Sequence, residues 1–249
     1  MSLFSEIINK LKPNPIIAIG GFLTLRKPMS LIRQLAECQR SDLIILTLSG
    51  SFEIDYLLKH ELVTELIAPY VGCEMIAPVT PIFRSWCIEG RIKADPWDTA
   101  MLVQSLKASG ENKPFTYWQP GIGTDIPLNN QRMKVEINPE TQREEIRIDS
   151  IKPDLALIHG SFADHNGNAF INGAAWGDML LAEVSEKVVV SVEEKIENKS
   201  DELEYLNRIS SDKIDLLLEI PDCAKPFESP GYYQSDPVGL RNLSYQSEC

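Results

Sequence analysis

The stretch at residues 15–22, PIIAIGGF, runs into Leu23-Thr24-Leu25-Arg26-Lys27-Pro28, and its reading decides the fold. A short apolar, β-branched run between a proline and a glycine pair is the pattern of a strand covered on both faces. Immediately after it, Met29, Ile32, Leu35 and Ala36 recur at helical spacing and predict a helix over 29–39. Residues 42–48, DLIILTL, then predict a second buried strand closed by Ser49-Gly50-Ser51. Strand, helix, strand at these lengths implies a parallel pair with a helical crossover.

The pattern continues outward. Residues 53–63 read as a helix and 65–71 as a third strand. A helix over 81–89, a short strand over 91–94 and a helix over 96–108, stopped by Gly110, follow. Residues 118–150 break the rhythm: a glycine and proline loop, Trp118-Gln119-Pro120-Gly121-Ile122-Gly123, precedes two alternating segments (135–138 and 145–149) around Asn138-Pro139-Glu140, which predict a surface hairpin. Buried strands return at 154–159, 187–192 and 214–220, with the turn Asp164-His165-Asn166-Gly167-Asn168 and a helix over 177–186 between them. The expected architecture is α/β: an open, mostly parallel sheet with helices on both faces and a small antiparallel hairpin excursion. It is expected as one domain over 1–249, with the excursion at about 118–150 and an irregular tail at about 221–249.

Hydrophobic residues make up 43% of the 249, enough for a substantial core, and the formal net charge of −12 argues against a nucleic-acid partner. Binding to phosphate backbones needs a basic face that releases counterions. No apolar run approaches a membrane span, and the start, Met1-Ser2-Leu3-Phe4-Ser5-Glu6, lacks the features of a signal peptide. The cysteines at 38, 73, 87, 223 and 249 are odd in number and scattered, so a disulfide framework or zinc site is not expected and a reducing cytoplasm is.

In open α/β sheets ligands collect at the carboxyl ends of the strands. Three loops are expected there: Gly20 to Pro28, Ser49-Gly50-Ser51, and Gly121-Ile122-Gly123-Thr124. Glycines allow close approach of the backbone to a ligand. Arg26 and Lys27, beside a helix start at Pro28, are expected to make the first rim favourable to an anion. That loop has neither dinucleotide-fold nor P-loop spacing. From the residues alone it is an anion-tolerant turn.

Gly20-Gly21-Phe22 followed at fixed spacing by Pro28 resembles the N-terminal signature of family I coenzyme A transferases, G-G-F-x-x-x-G-x-P. With Arg26 in place of the third glycine, the pattern is similar to the A (alpha) subunit of glutaconate CoA-transferase. The strands at 42–48 and 154–159, the Asp164/Gly167-Asn168 turn and Ser191-Val192-Glu193-Glu194 extend the likeness over about residues 7–220. The resemblance implies a division of labour. A glutamate on a B subunit of similar size, in an S-E-N-G-like motif missing here, attacks an acyl-CoA to give an anhydride and then a glutamyl-CoA thioester, and a second carboxylic acid completes the exchange. This chain would frame the substrate through Gly20, Gly21, Phe22, Arg26, Lys27, Gly50, Ser51, Gly121 and Gly123, with a coenzyme A thioester as substrate and no permanently bound cofactor or metal.

A branch of the same superfamily, heterodimers that open a ring of steroid-derived acyl-CoAs, implies an acid of the alpha chain in the neighbourhood of Asp98. The plain reading of Asp98 is a helix cap. Glu53, after Ser51-Phe52, carries a faint echo of a catalytic-glutamate turn but reads first as a first-turn helix acid, and Glu193 and Glu194 read as solvated or structural rather than catalytic. Trp86, Trp97 and Trp118 read as core or interface residues. Three functions are weighed: a CoA-transferase A (alpha) subunit, a ring-opening acyl-CoA hydrolase subunit, and a non-catalytic CoA-ester-binding protein.

Overall fold

The computed structural model describes residues 2–197 and 207–245. Ahead of the first strand lies helix α1 (Leu3–Asn9), whose first turn is closed by the Ser2 side chain accepting from Ser5 N at 3.1 Å. The strand–helix alternation then follows the apolar pattern: β1 (Ile16–Ile19), α2 (Met29–Glu37), β2 (Leu43–Leu46), α3 (Phe52–Lys59), β3 (Val63–Ile67), α4 (Pro81–Glu89) and α5 (Thr99–Gly110). A separate antiparallel sheet, ordered β4-β6-β5, is made by β4 (Phe115–Trp118), β5 (Met133–Ile137) and β6 (Glu144–Asp149). The chain re-enters the main sheet with β7 (Leu155–Ala163), β8 (Ala169–Ile171), α6 (Trp176–Val184), β9 (Val188–Lys195), β10 (Asn207–Ile209) and β11 (Leu216–Glu219), and ends its described part in α7 (Pro237–Tyr245).

The main sheet has eight strands. Parallel pairings run β3-β2-β1-β7-β9-β11, and β8 and β10 add an antiparallel extension at the far end of β7. One face buries side chains of α1, α2, α3, α4 and α7; the other buries those of α5, α6 and the small sheet. Covering on both faces explains why β1 and β2 are apolar throughout, and why β7 and β9 open on consecutive apolar residues, rather than alternating.

Successive strands step from β1 to β2 and β3 on one side, and from β7 to β9 and β11 on the other. The direction of winding therefore reverses between β1 and β7. At such a reversal the crossovers diverge and leave a crevice at the carboxyl ends of the two strands. Gly20 N bonds to Leu157 O at 2.9 Å, so the glycine loop opens at the carboxyl end of β1, alongside the third residue of β7 at the switch between the two windings.

Several expectations are corrected. The strand expected at 91–94 is a single bridge between Glu65 and Lys93, and the third strand is Val63–Ile67, with Val71 only bridged to Gly50. The expected hairpin gains β4 and becomes three-stranded. The expected irregular tail contains α7: Asp236 Oδ1 accepts from Val238 N at 3.0 Å, Pro237 suits the first helical turn, and Leu240 and Leu243 are buried. Its apolar stripe is too short to stand out in the sequence. The last residues of that tail, 246–249 with Cys249, lie outside the described residues.

Candidate functional site at the switch point

The loop between β1 and α2 is shaped by its own turn. Phe22 and Leu25 exchange backbone bonds at 3.0 and 2.8 Å, and Gly21 stands at φ 80°. A Cβ on Gly20 would lie 2.3 Å from Asp178 Oδ1, and one on Gly21 only 2.4 Å from Leu25 O. Both glycines are therefore required by close approach, and Gly21 also by its left-handed backbone.

The positive rim expected from Arg26 and Lys27 does not exist. Both side chains are 0% exposed. Being adjacent, they point apart, and each meets a buried acid from a helix on a different face of the sheet. Arg26 Nη2 lies 2.8 Å from Asp178 Oδ2 of α6 and also donates to Ala174 O. Asp178 Oδ1 accepts from Gly21 N at 2.6 Å. Lys27 Nζ lies 3.0 Å from Glu53 Oε1 of α3 and donates to Ser49 O at 2.6 Å. Glu53 Oε2 accepts from Ser51 N at 2.9 Å. Burial pushes the Glu53 carboxyl up, against the opposing pull of Lys27.

The amides are engaged as well. Gly20, Gly21 and Phe22 donate to Leu157 O, Asp178 and Leu25 O. Gly50 donates to Tyr70 O at 2.8 Å, and the fully buried Ser51 Oγ has no hydrogen-bond partner among the described residues. The glycine–serine loops thus form a wall whose amides are hydrogen-bonded and whose two cations each face a buried acid. What they present outward is apolar: Phe22 is 38% exposed, and Trp176, two residues before Asp178, is 48% exposed. The first loop also touches the C-terminal segment, since Arg26 N donates to Glu228 O at 2.7 Å.

Two of the three expected loops come together here. The third does not. Gly121-Ile122-Gly123-Thr124 leaves β4 of the small antiparallel sheet, where Thr124 Oγ1 closes a turn on Gly121 O at 2.7 Å. Gly121 backs onto Met101 of α5, whose Cε a Cβ would meet at 2.2 Å. Asp98 is exposed and caps α5, accepting from Ala100 N at 2.8 Å and Met101 N at 3.3 Å.

On the other side of β7, parallel pairing with β9 sets His159 opposite Ser191. His159 is fully buried, with Nδ1 3.0 Å from Ser191 Oγ and Nε2 2.8 Å from Glu193 Oε1. Tyr233 Oη donates to the same Glu193 oxygen at 2.5 Å, and Asp222 N donates to Oε2 at 2.6 Å. Glu193 is thus a structural, buried acid, and Glu194 is exposed and accepts from Tyr232 Oη at 2.8 Å. Among the described residues no group of three or more His, Cys, Asp or Glu is placed to hold a metal ion, and no helix is long and apolar enough to cross a membrane.

Sequence reasoning singled out Gly20, Gly21, Arg26, Lys27 and Ser51, but missed Asp178 and read Glu53 as a helix-start acid or an echo of a catalytic turn, not as the counter-ion of Lys27. An Arg-Lys pair ahead of a helix, inside an otherwise apolar context, was the available signal that two counter-ions must exist. Nothing local says which acids they are.

The sequence model described as Coenzyme A transferase matches residues 2–215. The chain belongs to the coenzyme A transferase family. It is 27% identical, over 78% of its length and 68% of the relative's, to the cholesterol ring-cleaving hydrolase IpdA subunit of Rhodococcus jostii. It is 24% identical to the A (alpha) subunit of glutaconate CoA-transferase of Acidaminococcus fermentans, over 97% of this chain and 81% of that one. An Archaeoglobus fulgidus protein of undefined role is 26% identical over 95% of this chain, which spans only 53% of that relative's length. The crystal structure of the Acidaminococcus enzyme superposes with a TM-score of 0.85 at 22% identity, covering 98% of this chain and 82% of that one. The decarboxylase AibA/AibB gives the same score and identity, covering 97% and 90%. At these identities the superpositions speak for the fold, which is that of this coenzyme A transferase.

Proposed function

We propose that this coenzyme A transferase is the alpha half of a two-subunit enzyme that moves coenzyme A from an acyl-CoA to a carboxylic acid. The observation that carries the reading is the Gly20-Gly21-Phe22 loop held rigidly at the β1/β7 switch point, in a chain whose family match spans residues 2–215. The attacking glutamate belongs to a partner B subunit. Its carboxylate adds to the thioester carbonyl and expels CoA thiolate, leaving a mixed anhydride. The thiolate then attacks the glutamyl carbonyl, releases the first acid and leaves glutamyl-CoA, and the second acid reverses the sequence. In this chain Gly20, Gly21, Phe22, Gly50 and Ser51 wall the acyl end, while Arg26 and Lys27 hold that wall from behind.

Co-purified with a B subunit from the same source, the complex is to be given acetyl-CoA and a panel of short carboxylic acids. Borohydride trapping is expected to label a glutamate of the partner. Label on this chain alone overturns the assignment. The likeness to the ring-cleaving hydrolase subunit favours a second reading, in which a carboxylate acts as a base and the carbon skeleton is cut. Transfer of CoA with no skeletal change eliminates it. CoA-ester binding without turnover, partner present, would leave a non-catalytic binding protein.

A further inference from the structure

We propose that Asp178 and Glu53 are positioning residues for the acyl site, each fixing one loop of its wall through the cation pair Arg26-Lys27. The proposal rests on the transferase reading above. The two acids make matching sets of bonds from opposite sides of the sheet. With one oxygen each takes a loop amide, Gly21 N at 2.6 Å for Asp178 and Ser51 N at 2.9 Å for Glu53. With the other each faces a cation: Asp178 Oδ2 accepts from Arg26 Nη2 at 2.8 Å, and Glu53 Oε1 lies 3.0 Å from Lys27 Nζ as an ion pair without a directed hydrogen bond. Arg26 and Lys27 are consecutive, so the two arms share one backbone and form a crossbar between α6 and α3.

The crossbar reaches further than its ion pairs. Arg26 Nη1 and Nη2 donate to Asn172 O and Ala174 O, which ties down the strand-to-helix connection ending at Trp176. Lys27 Nζ donates to Ser49 O at 2.6 Å and lies 3.3 Å from Gly21 O, so one ammonium bridges the loops after β1 and β2. All four charged side chains are at most 3% exposed. Four buried charges are costly compared with apolar packing, so a fold needing stability alone has little reason to keep them. What they supply is direction: amide and carbonyl groups of three separate loops are held to fixed points on two helices.

Single substitutions would strand a buried charge, so the test uses charge-neutral doubles: Asp178→Leu with Arg26→Met, and Glu53→Leu with Lys27→Met. Each is assayed as the complex with the partner chain, using acetyl-CoA and the best acid of the panel. Turnover is counted per borohydride-trapped site, and hydrogen exchange is followed in residues 16–25 and 47–52. The expected result is faster exchange at Gly21 or Ser51, a fall in kcat per trapped site of about tenfold or more, and a KM for acetyl-CoA within about threefold of wild type, since misplacement of an otherwise intact site penalises the transition state. An unchanged kcat per trapped site in loops that exchange faster overturns the proposal and leaves a purely structural crossbar. If a double fails to fold, Asp178→Glu, which keeps the charge and moves the carboxylate by one methylene, carries the same readout with the same outcomes. A wild-type complex that moves no CoA from acetyl-CoA to any acid removes the transferase reading, and this proposal with it.

Discussion

His159 Nε2 stands 2.8 Å from Glu193 Oε1 between neighbouring parallel strands, with the imidazole fully buried. Burial pulls the imidazolium down, but its hydrogen-bonded surroundings at Cys223 and Glu193 outweigh it and hold His159 up at about 9. Folding therefore raises this pKa. The pair's contribution is complete below 6.5, the ordinary value, and is lost as pH climbs through about 9. We expect Tm to fall across that window. Glu193→Gln should weaken this alkaline limb without removing it, since Cys223 still faces the imidazole, and the loss of the paired carboxylate should cost about 3 kcal/mol at neutral pH. Thermal melts at closely spaced pH values measure both. A flat alkaline limb in the wild type would mean that the imidazole is neutral.

Tyr233 joins the C-terminal segment to the same acid, donating to Glu193 Oε1 and accepting from Ala224 N at 3.0 Å. Tyr233→Phe removes both bonds and leaves a part-buried amide unpaired. The expected loss is about 2 kcal/mol in urea unfolding, with residues 221–233 gaining hydrogen exchange before β7 does. Unchanged protection there would show that the segment's other bonds, among them Asp222 N to Glu193 and Arg26 N to Glu228 O, hold it without the tyrosine hydroxyl.

Gly21 combines a φ of 80° with a Cβ position 2.4 Å from Leu25 O, whereas Gly90, at φ 67°, has nothing within 4 Å of its Cβ position. Gly90→Ala should cost only the backbone strain, about 1 kcal/mol. Gly21→Ala must also force the turn open and should cost about 2 kcal/mol or more. Equal losses in denaturation would mean that the turn relaxes freely.

Asp98 separates a structural from a chemical role. Its carboxylate accepts two amides at the start of α5. Asp98→Ala should cost about 1 kcal/mol, and Asp98→Asn, which still caps, only a few tenths. With the cap as its role, the Asn variant keeps wild-type turnover in complex with the partner. Loss of turnover at unchanged Tm would give the carboxylate a part in the chemistry.

Much of the fold was legible in single segments. The run at residues 15–22 reads as a buried strand because both its faces are apolar, and Gly20-Gly21 reads as a turn because larger side chains do not fit. Residues 81–89 read as a helix, and α4 occupies those residues. Elements with weak local signals were lost: α7 buries only part of one short stripe, and β8 and β10 are too short to show a period. At the site, the glycines were legible for the same local reason, while the third loop was misplaced because a glycine turn looks alike after a strand of either sheet.

By itself the sequence determined the alternation of the main buried strands with their helices, the turn at Gly20-Gly21 and the family signature through Pro28, since each depends on neighbours along the chain. Only the tertiary structure decided the fate of the charges. Asp178 lies 152 residues from Arg26, and Glu193 lies 34 from His159. Winding in two directions from β1 and β7 brings those groups together. Electrostatic partnership depends on distance in space, and the sequence carries no local trace of it. The cations that read as a rim for a substrate anion are, in the folded chain, the frame behind the wall.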